Sequence, residues 1–382
     1  MMDKVYLDNA ATTRVDSEVL KAMEPYFTKD FGNMASLHSC GREAEHAVEK
    51  ARRDISKKVN GKDHKLVFTS GGTESNNFTL KGVAFANRDK GKHIITTKIE
   101  HECILNAAKW LEKQGFDVTY LPVNKEGFVE LDVFSDAIRK DTVLASIIHA
   151  NNEIGTIEPI RELGKIAHDH NVLLHTDACQ SFTKVPIDLK KDNIDLMTIN
   201  SPKIHGPKGA GGLFIRQGVK MEPLLHGGGQ EFGYRSGTVN VSGIVGFAKA
   251  VDIMKDKHLK HMEKIRDMLI DGATDIPESW LNGPRGKDRL ANNAHFSFRH
   301  IEGESLIVHL DLKGIAASTG SACSSKSLEP SHVLMAIGLQ PEDAHGSIRF
   351  SVGKENTKEE IEYTLRSLHE AVETLRKMSP LK

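Results

Sequence analysis

The sequence predicts an α/β protein: a large domain with a mostly parallel sheet covered by helices, followed by a smaller α+β domain. Three observations carry that expectation. Between residues 65 and 216, short β-branched runs alternate with stretches of helical period, the signature of βαβ units. The runs are apolar almost throughout, as expected of strands buried on both faces. After about Val251 the texture changes to a charged helix, short strands and a closing helix.

The elements follow in order. Asp16 is placed to cap a helix whose Val19, Leu20, Met23 and Phe27 share a face. A second helix over about 41–59 carries Ala44, Ala47, Val48, Ala51 and Ile55 as its apolar stripe, and Gly61 stops it. Strands are expected at 66–69, 93–97, 118–121, 143–148, 172–175 and 196–199. Helices near 74–87, 104–113, 131–139 and 159–170 lie between them. Beyond the charged helix, strands are expected at 294–298 and 348–352, and a last helix from Lys358.

Composition limits the function. The chain has 382 residues, 39% hydrophobic and 27% charged, which suits a globular fold of more than one core. Its 51 basic and 52 acidic residues give a net charge of −1, so no global charge favours nucleic acid or an anionic membrane. No apolar run approaches the roughly 20 residues of a membrane span, and the first residues lack the apolar stretch of a secretory signal. Cys40, Cys103, Cys179 and Cys323 form no C-x-x-C pair and read as free thiols of a reducing compartment, with the cytoplasm as the expected address.

In an open α/β sheet the ligand site lies outside the carboxyl ends of the strands. Ser70-Gly71-Gly72-Thr73-Glu74 follows one strand and opens a helix, a plausible phosphate cradle; alone it is more often a simple turn. Glu100-His101 follows another strand, and Asp177 a third, where a helix cap is the plainer reading. Lys203 sits in a turn between Pro202 and Gly206, which gives it a fixed aim that a lysine on a helix face lacks. The small-residue stretch 318–327 carries Cys323, either a surface thiol or a presented reactive group. Together an anion cradle, a carboxylate, a histidine and a rigid lysine are the parts that pyridoxal 5'-phosphate requires.

The ordered motifs resemble the cysteine desulfurases of the NifS/IscS type, in the class-V aminotransferase superfamily with its type I fold. Those motifs are Tyr6-Leu7-Asp8-Asn9-Ala10-Ala11-Thr12-Thr13, Phe31-Gly32-Asn33, residues 69–76, Glu100-His101 and Asn151-Asn152-Glu153-Ile154-Gly155. Residues 177–180, 203–209, Gly227-Gly228-Gly229-Gln230-Glu231, Arg235-Ser236-Gly237-Thr238, 318–325 and Arg349-Phe350-Ser351 complete them. The long cysteine loop, running on to Leu334, resembles the NifS/IscS branch.

The resemblance implies an N-terminal arm over 1–14 packing near the small domain, a large cofactor-binding domain over 15–255, and a small domain over 256–382. It implies Lys203 as the cofactor-bearing lysine, His101 as the residue stacked on the ring, and Asp177 as the partner of the pyridine nitrogen. Gln180 and Asn152 would bond the ring oxygen side, Gly72 and Thr73 the phosphate, and Thr238 the phosphate of a neighbouring subunit, hence a homodimer. Arg349 would clamp the carboxylate of L-cysteine. Cys323 would be the nucleophile that becomes a persulfide, and a transient iron–sulfur ligand, with an iron–sulfur scaffold protein as acceptor. The family commonly places a serine, a spacer and a histidine before the lysine. Here Asn200, Ser201 and Pro202 stand there, and Pro202 brings no side-chain donor, so Asn200 and Ser201 are the candidates to replace it. Transamination would leave the Cys323 loop without a role, whereas selenocysteine fits the same pocket. A cofactor-poor scaffold protein would have no use for an intact Lys203.

Overall fold

The computed structural model describes residues 4–319 and 330–379, so Cys323 lies outside the described residues. The larger sheet has seven strands. Their order is His64–Thr69, Gly211–Arg216, Leu196–Asn200, Leu173–Asp177, Thr142–Ile148, His93–Thr97, Asp117–Leu121. Gly211–Arg216 is antiparallel to both its neighbours. The remaining pairings are parallel, so six strands point their carboxyl ends to one edge.

Side chains alternate between two cores because successive residues of a strand face opposite ways. Leu66, Phe68, Ile95, Ala145, Met197 and Phe214 join one cluster, with Val48, Ile55, Leu163 and Phe247 from the helices Ser39–Lys57, Ile160–Asp169 and Val241–Ile253. Val67, Ile94, Leu144, Leu196, Leu213 and Ile215 join the other, under Phe78, Leu80 and Val83 of Gly72–Asn87 and Ile104 and Leu111 of Glu102–Glu112.

A second, antiparallel sheet orders Ser347–Ser351, Asn293–Phe298 and Ser279–Leu281. The helices Asp256–Thr274 and Lys358–Met378 cover it, burying Leu269 and Leu368 with Phe296, Phe298 and Phe350. Lys358–Met378 begins in a capping box: the Glu360 N–H donates to Thr357 Oγ1 at 3.2 Å, and the Thr357 N–H to Glu360 Oε2 at 3.0 Å. Val5 and Leu7 belong to this same core, because Val5–Tyr6 pairs in parallel with Ile315–Ala316.

The structure corrects one expected element. The helix capped by Asp16 runs only over Ser17–Met23, and Pro25 opens a separate turn, Pro25–Thr28. Pro25 brings no N–H to continue the hydrogen-bond ladder, so the helix is interrupted there although Glu24 keeps helical backbone. Phe27 and Leu20 are each 59% exposed rather than sharing a buried stripe with Val19 and Met23.

The connection between the sheet and Ile160–Asp169 holds a buried carboxyl. Glu158 Oε2 accepts the Val129 N–H at 3.0 Å, and Oε1 has no partner. Burial pushes its pKa from 4.5 to about 8. A carboxyl raised in this way keeps its proton where the unfolded chain has lost it. Its stabilising contribution is therefore full below pH 4.5 and lost as pH rises through about 8. Glu158→Gln should flatten that part of the stability curve, removing a slope of at most about 1.4 kcal/mol per pH unit. Urea unfolding across the range checks this, and identical slopes in the two proteins would refute it.

Candidate active site

The carboxyl ends of the sheet open into a cavity of about 300 Å³. The helix Gly72–Asn87 points its N-terminus there, with Gly71 at the cap position and no side chain capping it. Its first N–H groups and the positive end of its dipole are thus left for an anion. Glycine is required on both sides of this approach. Gly71 has φ +156°, and a Cβ on Gly72 would lie 2.6 Å from Cys179 Sγ.

Asp177 ends its strand at the floor of the cavity and is buried. Its Oδ1 accepts the Cys179 N–H at 2.8 Å and its Oδ2 accepts Asn76 Nδ2–H at 2.6 Å. Asn200 ends the next strand with its amide beside Gly72, and its Oδ1 is buried without a partner. Ser201 is buried behind it, and its hydroxyl leaves no room for a side chain at position 206.

Lys203 projects from a turn held on both sides. The Ser201 N–H donates to Ala210 O at 3.1 Å, while the Thr13 N–H and hydroxyl donate to Pro202 O at 2.8 and 3.0 Å. Lys203 Nζ donates to Ala11 O, and Gln180 Nε2 to Ala10 O at 3.0 Å, so the N-terminal segment forms one wall. Lys184 is buried nearby with Nζ donating to Gln180 O at 2.9 Å. Burial, then the charge of Lys203, pushes the Lys184 ammonium down to about 7.

His101 caps the helix Glu102–Glu112, with Nδ1 accepting the Cys103 N–H at 3.2 Å. Glu100 fixes the approach to it: Oε1 accepts the Ile148 N–H at 2.8 Å and the Thr97 hydroxyl at 2.9 Å. Burial pushes the Glu100 carboxyl well above the usual range, as suits an internal brace. On the opposite wall, Arg349 Nη1 donates to Asn152 O at 3.0 Å and Nη2 pairs with Asp8 Oδ1 at 3.1 Å. Its Nε is buried without a partner.

Gly72, Thr73, His101, Asn152, Asp177, Gln180, Asn200, Lys203 and Arg349 all line this cavity. Ser201 and Thr238 do not, and Thr238 is exposed. The segment leading to Thr238 is anchored by a buried two-pronged pair of Arg52 with Glu231, at 2.8 Å on each prong, and by Arg235 Nε to Glu74 at 2.8 Å. Asn76, Cys103 and Cys179 also line the cavity, although sequence reasoning does not single them out as site residues. Asn76 lies one helical turn beyond Gly72, which is the available signal. Among the described residues no cluster of three or more His, Cys, Asp or Glu side chains could hold a metal ion.

The residues fit pyridoxal phosphate. The uncapped helix end, with the Asn200 Nδ2 group beside Gly72, marks the anion side, while Lys203 and Asp177 supply the amine and the buried carboxylate. Lysine, carboxylate and cradle come from separate strand ends of one sheet, the arrangement expected of an α/β ligand site.

Residues 5–364 match the family described as Aminotransferase class-V. The cysteine desulfurase IscS of Dictyoglomus turgidum is 52% identical over 386 aligned residues, spanning 100% of this chain and 98% of that one. The cysteine desulfurase IscS 1 of Archaeoglobus fulgidus is 49% identical, spanning 98% and 99%. Among solved structures, a NifS-like protein superimposes with a TM-score of 0.91 at 40% identity, over 97% of this chain and 100% of that one. SspA in complex with cysteine gives 0.83 at 35% identity, over 92% and 100%. The chain belongs to the class-V aminotransferase family and, within it, to the pyridoxal-phosphate-dependent cysteine desulfurases with the type I fold.

Proposed function

We propose that this chain removes sulfur from L-cysteine, leaving L-alanine and a persulfide on Cys323 that passes to an acceptor such as an iron–sulfur cluster scaffold. The observation that carries the reading is the convergence of Lys203, Asp177, His101 and Arg349 on one cavity of about 300 Å³. Bound pyridoxal phosphate supplies an electron sink for the carbanion at the substrate Cα.

The protein's own groups do the rest. The first N–H groups of Gly72–Asn87 and the Asn200 Nδ2 group would hold the phosphate, and Asp177 would pair with the pyridine nitrogen. Gln180 and Asn152, which line the cavity, would bond the ring oxygen side. Arg349 takes the substrate carboxylate in its planar fork, which fixes the Cα–H bond toward Lys203. Lys203 would carry the cofactor, and its Nζ would take the proton from the substrate Cα. His101 would cover the cofactor and move a proton through Nε2, because its Nδ1 lone pair faces the Cys103 N–H. The Cys323 thiolate attacks the substrate sulfur, the C–S bond breaks as the S–S bond forms, and the carbon takes a proton.

Residues 1–14 act as the arm, 15–255 as the cofactor-binding domain and 256–382 as the domain carrying Cys323. Supporting a homodimer, Thr238 is exposed on a segment pinned by two ion pairs, ready to reach a neighbouring subunit's phosphate site. Supporting a cytoplasmic address, the four cysteines include no C-x-x-C pair. Cys323 serves as a transient iron–sulfur ligand during transfer.

Lys203→Ala should abolish both the visible absorbance of bound cofactor and turnover, read on purified protein. Cys323→Ser should still change the cofactor spectrum when cysteine is added, yet release no sulfide. Undiminished sulfide release from that variant would overturn the assignment. One charge-assisted contact is worth about 1.5–3 kcal/mol, so Asn200→Ala should weaken cofactor retention about tenfold or more. Dialysis followed by absorbance tests this, and retention equal to the parent's would remove Asn200 from the phosphate site.

A further inference from the structure

The cavity contains two thiols that the proposed chemistry leaves without a role, Cys103 and Cys179. Cys179 lies against Gly72 and Asp177, and burial together with the Asp177 charge pushes its thiol well up. It stays neutral packing. Cys103 stands differently. Its Sγ lies 3.0 Å from His101 Nδ1 and 3.2 Å from Asn76 Nδ2.

Donor and acceptor roles in this cluster are fixed by elementary chemistry. A backbone N–H can only donate, so the 3.2 Å contact from the Cys103 N–H makes His101 Nδ1 an acceptor. The thiol at 3.0 Å must then donate to the same lone pair. The Asn76 amide has two N–H bonds. One goes to Asp177 Oδ2 at 2.6 Å and the other to Cys103 Sγ at 3.2 Å. Turning the amide over would set its oxygen against the Asp177 carboxylate, so this orientation is the only favourable one. The result is a directed chain: Asn76 donates to Asp177 and to Cys103, and Cys103 donates to His101.

We propose that Cys103 is a positioning residue for His101: its thiol, fed by Asn76, adds to the backbone N–H in holding the imidazole with the proton on Nε2 and ties the ring's orientation to Asp177. Two groups that address the cofactor from opposite structural elements are thereby set by one amide. Asn76 comes from Gly72–Asn87, Cys103 from Glu102–Glu112, and Asp177 from the end of its strand. The inference rests on the reading of His101 as the group that moves a proton, and the geometry can be tested apart from it.

The holoenzyme with 15N-labelled histidine gives the tautomer directly by NMR, the His101 signals being assigned by their loss in His101→Gln. The parent protein is expected to show Nε2 protonated and Nδ1 as an acceptor. With only the backbone N–H left on Nδ1, Cys103→Ala should raise the share of the Nδ1-protonated tautomer, while Cys103→Ser, which keeps a side-chain donor, should restore the parent pattern. With one hydrogen bond removed, Cys103→Ala should lower kcat about fivefold and leave KM within about twofold, and Cys103→Ser should recover most of it. An unchanged tautomer in Cys103→Ala overturns the inference whatever the turnover. A shifted tautomer with parental kcat overturns its catalytic half. Parental turnover in His101→Gln instead sinks the reading of His101, and leaves the NMR result to judge the geometry alone.

Discussion

Two backbone approaches that leave no room for a Cβ set the geometry of this molecule's centre. A side chain on Gly211 would come within 2.6 Å of the Gly71 backbone, and one on Gly72 within 2.6 Å of Cys179 Sγ. Because both positions are glycine, the start of Gly72–Asn87 settles directly onto the sheet edge between neighbouring strand ends. Its unsatisfied N–H groups then face the cavity instead of water. The same seating carries Asn76 within hydrogen-bond reach of Asp177 and Cys103. Anion site, carboxylate and histidine thus depend on how closely one helix can approach one sheet.

Around that centre, charge is organised by burial and pairing. Glu100 and Glu158 are enclosed and pushed toward their neutral forms, so they brace loops without adding charge to the site. His149 and His175 are pushed down to about 4 by burial and stay neutral behind the strand ends. Two buried guanidiniums beside the site are paired. Arg52 pairs with Glu231 and Arg349 with Asp8, while Lys203 stands at the mouth of its turn. The Arg349 guanidinium at the cavity wall is therefore already oriented by Asp8 and by Asn152 O, which removes much of the entropy of ordering it.

Much of this is legible in the sequence, for identifiable reasons. Each parallel strand is a short apolar run, so its carboxyl end can be located, and with it Asp177, Asn200 and the turn of Lys203. The direction of Gly211–Arg216 is harder to read, although the connection 201–210 is too short for the crossover a parallel partner needs. Its two leading glycines also hide it as a strand. Ala10 and Ala11 enter the site through their carbonyls, which no side-chain pattern reports. Cys103 reads as one more helix-start residue until the fold brings Asn76 beside it. Glu231 and Arg52 are 179 positions apart, and only the folded structure makes them a pair.

The N-terminal wall of the cavity also dictates an order of events during folding. Asn9 Nδ2 donates to Ser351 O, 342 positions away, and Asp8 reaches Arg349 across 341. Contacts of such separation form only after the intervening sheets have brought their partners together, since closing the loop earlier would sacrifice entropy with little in return. The seven-stranded sheet can assemble without them. Lys203 and Gln180, however, meet Ala11 and Ala10 only once this segment has docked. The scaffold can therefore be built while the cavity still lacks a wall. Completion of the pocket is a late, long-range event that separates the birth of the fold from the birth of the site.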